Sequence, residues 1–182
     1  MLDGALDERI GAIYLSADEV RARVAGLGRE ITADYEGLEP VLVGSLKASL
    51  VFLSDLSRAL PIPHWLDFIE LAGYGPDSEP GGRPSIRLLK DLDVDVEGRH
   101  VLIVEDVIDT GLTLNYLVRA LELRRPSSVA AVTLLDRPYR RLVADLPVRY
   151  VGFTVPDELF VGYGFDLDER WRNLPDIRVV KT

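Results

Sequence analysis

The chain predicts an α/β fold in which a central parallel sheet is flanked by helices. Residues 101–104 form an apolar run without polar alternation, the pattern of a strand covered on both faces. An amphipathic stretch follows at 114–123, where Leu114, Leu117, Val118 and Leu121 recur at helical spacing. The same strand, loop and helix order appears earlier, with an apolar run at 41–45 and helical spacing across 50–60. At 182 residues and 47% hydrophobic composition, the chain is sized for a single domain, 1–182, with a sizeable core.

Ser16-Ala-Asp-Glu19 is a capping-box sequence, and Val20, Val24, Leu27 and Ile31 continue it as the apolar stripe of a scaffold helix. Pro40 punctuates the chain before the strand at 41–45, and Lys47, Ala48 and Ser49 separate that strand from its helix. Residues 65–72 read as a further strand. The polar, Gly- and Pro-rich segment 73–84 has the length of a lid or binding loop. After a short run at 86–89, residues 92–98 alternate acids with apolar side chains. They are expected to form a short edge element with a solvated acidic face, alternating as a half-buried strand would and lacking the twelve-residue ligand pattern of a calcium loop. Residues 127–135 supply another buried strand, with Arg137 and Pro138 at its carboxyl end.

Ligands of open α/β sheets sit beyond the carboxyl ends of the strands, where Glu105, Asp106 and Asp109 are expected to fall. Three acids in five residues beside a buried strand are costly to desolvate unless a hydroxyl, a cation or a proton meets them. Asp109-Thr110-Gly111-Leu112-Thr113 then opens a helix. Its free amides, the helix dipole and two threonine hydroxyls would converge on one anion, with Gly111 permitting close backbone approach. A phosphate suits such a nest. The plainer alternative is a capped helix with solvated acids, Asp109 being the cap.

Composition narrows the remaining classes. A net charge of −9 and a pI near 4.7 argue against a general nucleic-acid surface, although a local nest or a Mg²⁺ ion can still hold an anion. Without cysteine, and with only His64 and His100, there is neither a disulfide nor a zinc-thiolate or His-rich site. No signal-peptide core and no apolar span of membrane length is present, so a cytoplasmic home is expected. The GxxxxGK[ST] and GxGxxG patterns are absent.

Taken whole, Val101-Leu-Ile-Val-Glu-Asp-Val-Ile-Asp-Thr-Gly-Leu-Thr113 resembles the phosphoribosyl-pyrophosphate signature of type I phosphoribosyltransferases, in the form of the hypoxanthine-guanine branch. The likeness extends to Leu88-Leu-Lys-Asp-Leu-Asp93, Leu134-Leu-Asp-Arg-Pro138, Val151-Gly-Phe-Thr-Val-Pro-Asp157, Val161-Gly-Tyr-Gly164 and Asp166. It implies the type I phosphoribosyltransferase fold, with a small hood contributed by the terminal segments and a flexible flap loop. It also implies Mg²⁺-dependent transfer of a phosphoribosyl group to a 6-oxopurine, giving IMP or GMP and pyrophosphate, in a homodimer or homotetramer.

The resemblance assigns Glu105 and Asp106 to the ribose hydroxyls, directly or through a metal, and the turn Asp109, Thr110, Gly111, Leu112 and Thr113 to the 5′-phosphate. Asp109 is also the candidate general base, near N7 of the purine. Leu46, Lys47 and Ala48, with Arg172, fall to pyrophosphate, and Gly73 and Tyr74 to the flap. Arg137, Leu159, Phe160 and Asp166 fall to the base, with Asp166 also joining Glu105 and Asp106 as a candidate metal ligand. Lys47 read by itself is equally a surface lysine starting a helix, and Arg172 a surface ion pair.

Four positions depart from the family pattern. Ala48 replaces a glycine, which would hinder a positive φ or close approach, and Gly73 replaces a serine. Arg137 stands for a lysine, and Leu159-Phe160 for an aromatic followed by an aliphatic residue. They leave open a phosphoribosyl-pyrophosphate-binding regulator or interaction protein with a drifted base pocket, or a transferase for another purine such as xanthine.

Overall fold

The apolar run at 101–104 becomes the middle of a six-stranded sheet. The computed structural model describes residues 6–73 and 86–181. Its sheet is ordered β4 (Ile86–Lys90), β3 (Trp65–Gly73), β2 (Val41–Leu46), β5 (His100–Ile108), β6 (Ser128–Asp136) and β7 (Val148–Thr154). All neighbours pair in parallel except β4, which runs antiparallel to β3 at the edge.

Successive side chains of β5 serve opposite faces. Leu102 and Val104 pack with Val24, Leu27, Phe52 and Leu56 of α1 (Ala17–Tyr35) and α2 (Ser49–Arg58). Val101 and Ile103 pack with Leu114, Leu117 and Leu121 of α3 (Leu112–Glu122) on the other side. All four β5 side chains are fully buried, which is why the run shows no polar alternation. Each such aliphatic side chain contributes about 1.5–3 kcal/mol through burial, so this layer pins the strand whose end carries the acids.

The first helix starts as its sequence indicates. The Ser16 hydroxyl accepts from the Glu19 amide at 3.3 Å while the Glu19 carboxylate accepts from the Ser16 amide at 2.8 Å. Arg23 then donates from α1 to the Val151 and Gly152 carbonyls of β7, at 2.7 and 3.0 Å. A second, antiparallel sheet is ordered β1 (Ile10–Leu15), β9 (Ile177–Val180), β8 (Phe160–Val161), and so joins the two ends of the described chain. It has its own small core of Ile10, Val161, Leu174 and Val180. No helix among the described residues is long and apolar enough to cross a membrane.

Two expectations change. Residues 92–98 form no edge strand, because a side chain from another element takes their amides. The buried Asp67 carboxylate of β3 accepts from the amides of Asp93 and Val94 at 2.7 and 2.8 Å. Burial pushes Asp67 upward, yet the amides of Val94, Phe68 and Asp93 and nearby Lys90 together hold it below its ordinary value. The second change is the length of β5, which reaches four residues beyond Val104 to Ile108. The lid expected across 73–84 lies outside the described residues apart from Gly73, which closes β3, and Tyr74 lies outside with it.

Candidate active site

Glu105 and Asp106 sit inside the ladder rather than beyond it, since Glu105 pairs with Thr133, Val107 with Leu135 and Ile108 with Asp136. The β-branched Val107 and Ile108 sustain pairing past the acids, and Asp109 is the first residue clear of the strand. Glu105 is 5% exposed, and its Oε1 has no partner among the described residues. Burial first, and the neighbouring Asp106 second, push its carboxyl well above the ordinary range, against a hydrogen bond from Ser45. Asp106 is pushed up to about 6 by burial, although the amides of Val107 and of Asp106 itself and the charge of Arg172 draw it down.

An orphaned carboxylate oxygen beside a second, half-buried carboxyl is a pair of hard donors for a proton, a hydroxyl or a cation. The pair fits a magnesium ion that keeps most of its shell from water and substrate oxygens. Among the described residues no group of three or more acidic, imidazole or thiol side chains is close enough to cage a metal. Glu105, Asp106 and Asp166 therefore do not form one cluster. Asp166 instead accepts from the Glu169 amide at 2.9 Å and pairs with Arg172 at 2.9 Å.

The turn after Asp109 is built around backbone. Gly111 is the residue preceding α3, with φ of 81°, and no side chain caps the helix. Asp109 is thus not a helix cap. The first turn of α3 carries no acid, and the Leu112 amide makes only a long bond, 3.4 Å, to the Thr110 hydroxyl, so the helix dipole can meet an anion here. A β-carbon at Gly111 would come within 2.6 Å of Leu146 Cδ1, the movable end of a side chain, so it is the φ of 81° that requires the glycine. The Thr110 carbonyl accepts from the amides of Leu142 and Val143, at 2.9 and 3.3 Å, fastening the turn to the segment after β6.

Lys47 and Arg172 lie 125 residues apart in sequence yet meet on one carboxylate. Glu169 pairs with Lys47 at 3.0 Å and with Arg172 at 3.3 Å, and the two cations, Lys47 first, hold it below its ordinary range. The Leu46–Lys47 peptide is cis. Ala48 has φ of −66° and ψ of −31°, an ordinary right-handed conformation, so the expected obstacle to an alanine does not arise. The close approach is made by the turn after β8: Gly164, at φ of 101°, lies against the Ala48 carbonyl where a β-carbon would collide.

Arg137 is buried at the end of β6. Its Nη1 donates to Asp109 at 3.1 and 3.3 Å, Nη2 donates to the Glu158 carbonyl, and its guanidinium lies 5.5 Å from the Phe160 ring centroid. Phe160 is 5% exposed, whereas Leu159 is 53% exposed. The ring lies under Arg137 and does not line the cleft that holds Glu105 and Asp106.

A cleft of about 320 Å³ gathers Ser45, Glu105, Asp106, Asp109, Gly111 and Thr113. A larger groove of about 540 Å³ lies between α1, α2 and residues 172–175, but none of the acids at 105–109 lines it. The smaller cleft is the one that holds buried Glu105, half-buried Asp106 and the N-terminus of α3. Sequence reading passed over Glu169 and Arg140. Arg140 lies 3.8 Å from Asp109 and pairs with Asp157 at 3.1 Å. The cation-rich run Arg137-Pro-Tyr-Arg-Arg141 after a buried strand was the available signal for Arg140.

These features define an α/β protein with a cleft of carboxylates and a helix N-terminus at the carboxyl end of its central strands. A family model described as the phosphoribosyl transferase domain matches residues 13–168, and the chain belongs to that family. It is 50% identical over 165 residues to hypoxanthine phosphoribosyltransferase of Salmonella typhimurium, covering 90% of this chain and 91% of that protein. It is 43% identical over 172 residues to hypoxanthine-guanine phosphoribosyltransferase of Bacillus subtilis, covering 94% of each. The bifunctional protein TilS/HprT of Listeria innocua is 45% identical over 172 residues, 94% of this chain, which spans 26% of that longer protein. A solved hypoxanthine phosphoribosyltransferase from Staphylococcus aureus has a TM-score of 0.91 at 36% identity, covering 100% of this chain and 97% of that one.

Proposed function

We propose that this chain is a purine-salvage transferase that joins hypoxanthine or guanine to phosphoribosyl pyrophosphate, giving IMP or GMP and pyrophosphate. The observation that carries this reading is the meeting of Glu105 and Asp106 with an uncapped, acid-free helix N-terminus in one cleft. Glu105 and Asp106 hold the ribose hydroxyls, and the amides from Thr110 to Thr113 hold the 5′-phosphate. Lys47 and Arg172, released from Glu169, face the pyrophosphate. As the purine nitrogen bonds to the anomeric carbon, the bond from that carbon to pyrophosphate breaks. Asp109 takes the N7 proton as the glycosidic bond forms. Arg137, fixed on Asp109, stands where the 6-oxo group arrives.

Glu105 and Asp106 would hold a magnesium ion, which would supply neutralisation of the leaving pyrophosphate. Asp166 serves a second ion or the 2-position of the base only when its contacts with Arg172 and Glu169 loosen. We assign residues 1–182 to one domain, working in the cytoplasm as a homodimer or homotetramer. The test is nucleotide formation and pyrophosphate release with Mg²⁺, phosphoribosyl pyrophosphate and, separately, hypoxanthine, guanine, xanthine and adenine. Turnover with hypoxanthine or guanine is expected; sugar-phosphate binding without turnover on any base would overturn the reading.

A further inference from the structure

Arg137 is held from three directions. Asp109 and the Glu158 carbonyl take its two terminal nitrogens, while the Phe160 ring supports the guanidinium from 5.5 Å. Phe160 is itself backed by Tyr14 of β1, with ring centroids 5.0 Å apart and planes inclined by 46°. The line Tyr14, Phe160, Arg137, Asp109 therefore runs from the terminal sheet to the cleft. Arg137 is 6% exposed, so its charge is desolvated and a cation–π contact there is worth more than at a surface. The one nitrogen left over, Nε, is buried and without a partner among the described residues.

We propose that Phe160 is a positioning residue for Arg137, aiming a guanidinium whose second Nη2 hydrogen, not committed to the Glu158 carbonyl, meets the base. Only a planar, forked cation can lie on a ring while bridging a carboxylate and a carbonyl; a lysine ammonium offers neither the plane nor the fork. The arginine at 137 and the aromatic at 160 are thus one device, and the exposed Leu159 is free of the task of holding it. Tyr14 extends the device into β1, so the terminal sheet helps to set the base pocket. The inference rests on the proposed role of Arg137 at the base, and its test separates the two.

Steady-state kinetics of the purified chain, varying hypoxanthine and phosphoribosyl pyrophosphate in turn, read the effect. Phe160→Leu is expected to raise the KM for hypoxanthine about tenfold, the size of one desolvated cation–π contact, with the KM for phosphoribosyl pyrophosphate within about twofold. Phe160→Tyr should retain the parent value. In an Arg137→Ala background, Phe160→Leu should add nothing further, because the supported group is gone. An unchanged hypoxanthine KM, an equal rise in both KM values, or the same rise with and without Arg137 would overturn the proposal. Should Phe160→Leu not fold, Tyr14→Leu decides on the 39%-exposed side of the stack. A selective rise in hypoxanthine KM supports the proposal and no change overturns it. If Arg137→Ala by itself leaves the hypoxanthine KM unmoved, the base-pocket reading of Arg137 fails first and takes the proposal with it.

Discussion

Asp106 and Asp109 stand three residues apart and are asked for different chemistry. Burial holds the Asp106 carboxyl at about 6, whereas an aspartate in the unfolded chain titrates near 3.8. The folded state therefore keeps this proton to higher pH than the unfolded state. Stability contributed by the group is greatest below about pH 4, falls as pH rises to about 6, and stays low above. Asp106→Asn should raise the Tm of the protein in EDTA at pH 7.5 by at least about 3 °C, read by calorimetry, with the gain vanishing near pH 4. The same change should abolish nucleotide formation, since the amide no longer accepts as a carboxylate. Asp109→Asn tests the other role. Turnover should fall by about a hundredfold or more, with sugar-phosphate affinity by titration calorimetry changed far less. Equal losses would make Asp109 a binding group.

At the scale of elements, the turn before α3 is the sharpest case. Gly111→Ala meets both a φ of 81° and the Leu146 side chain. We expect a loss of about 1–2 kcal/mol in urea unfolding, together with a larger rise in the KM for phosphoribosyl pyrophosphate than for the base. This turn was legible beforehand because glycine and the hydroxyl residues have only a few reasons to occur together before an amphipathic stripe. The capping box at Ser16 and Glu19, and the buried stripes of α1 and α3, were legible for the same local reason. The segment at 92–98 was not. Its alternation survives as burial, with Val96 fully enclosed, but whether its amides enter a ladder depends on Asp67 in another strand. The length of β5 was likewise hidden, because acids at 105 and 106 look like a strand's end until β6 is seen to pair past them.

For the whole molecule, the site depends on contacts between distant segments. Gly164 packs on the Ala48 carbonyl, and Arg172 donates to the Gly164 carbonyl at 2.8 Å, so the segment after β8 is clamped to the loop after β2. Gly164→Ala should push that loop away and disturb Lys47 and Arg172 together. The expected result is a loss of about 2 kcal/mol or more in stability and a fall in pyrophosphate affinity, measured by unfolding and by product inhibition. Unchanged product inhibition in a folded variant would separate this clamp from the pyrophosphate site. The sequence by itself determined the α/β class, the strand and helix of the signature, and that Glu105, Asp106, Asp109 and the turn would gather at one strand end, since periodicity, glycine chemistry and desolvation act over a few residues. Only the tertiary structure decided that Ala48 takes an ordinary right-handed conformation, that Glu169 joins Lys47 to Arg172, and that Phe160 lies beneath Arg137. Those facts depend on which segments meet across the fold, and contact between distant segments leaves no local pattern in the chain.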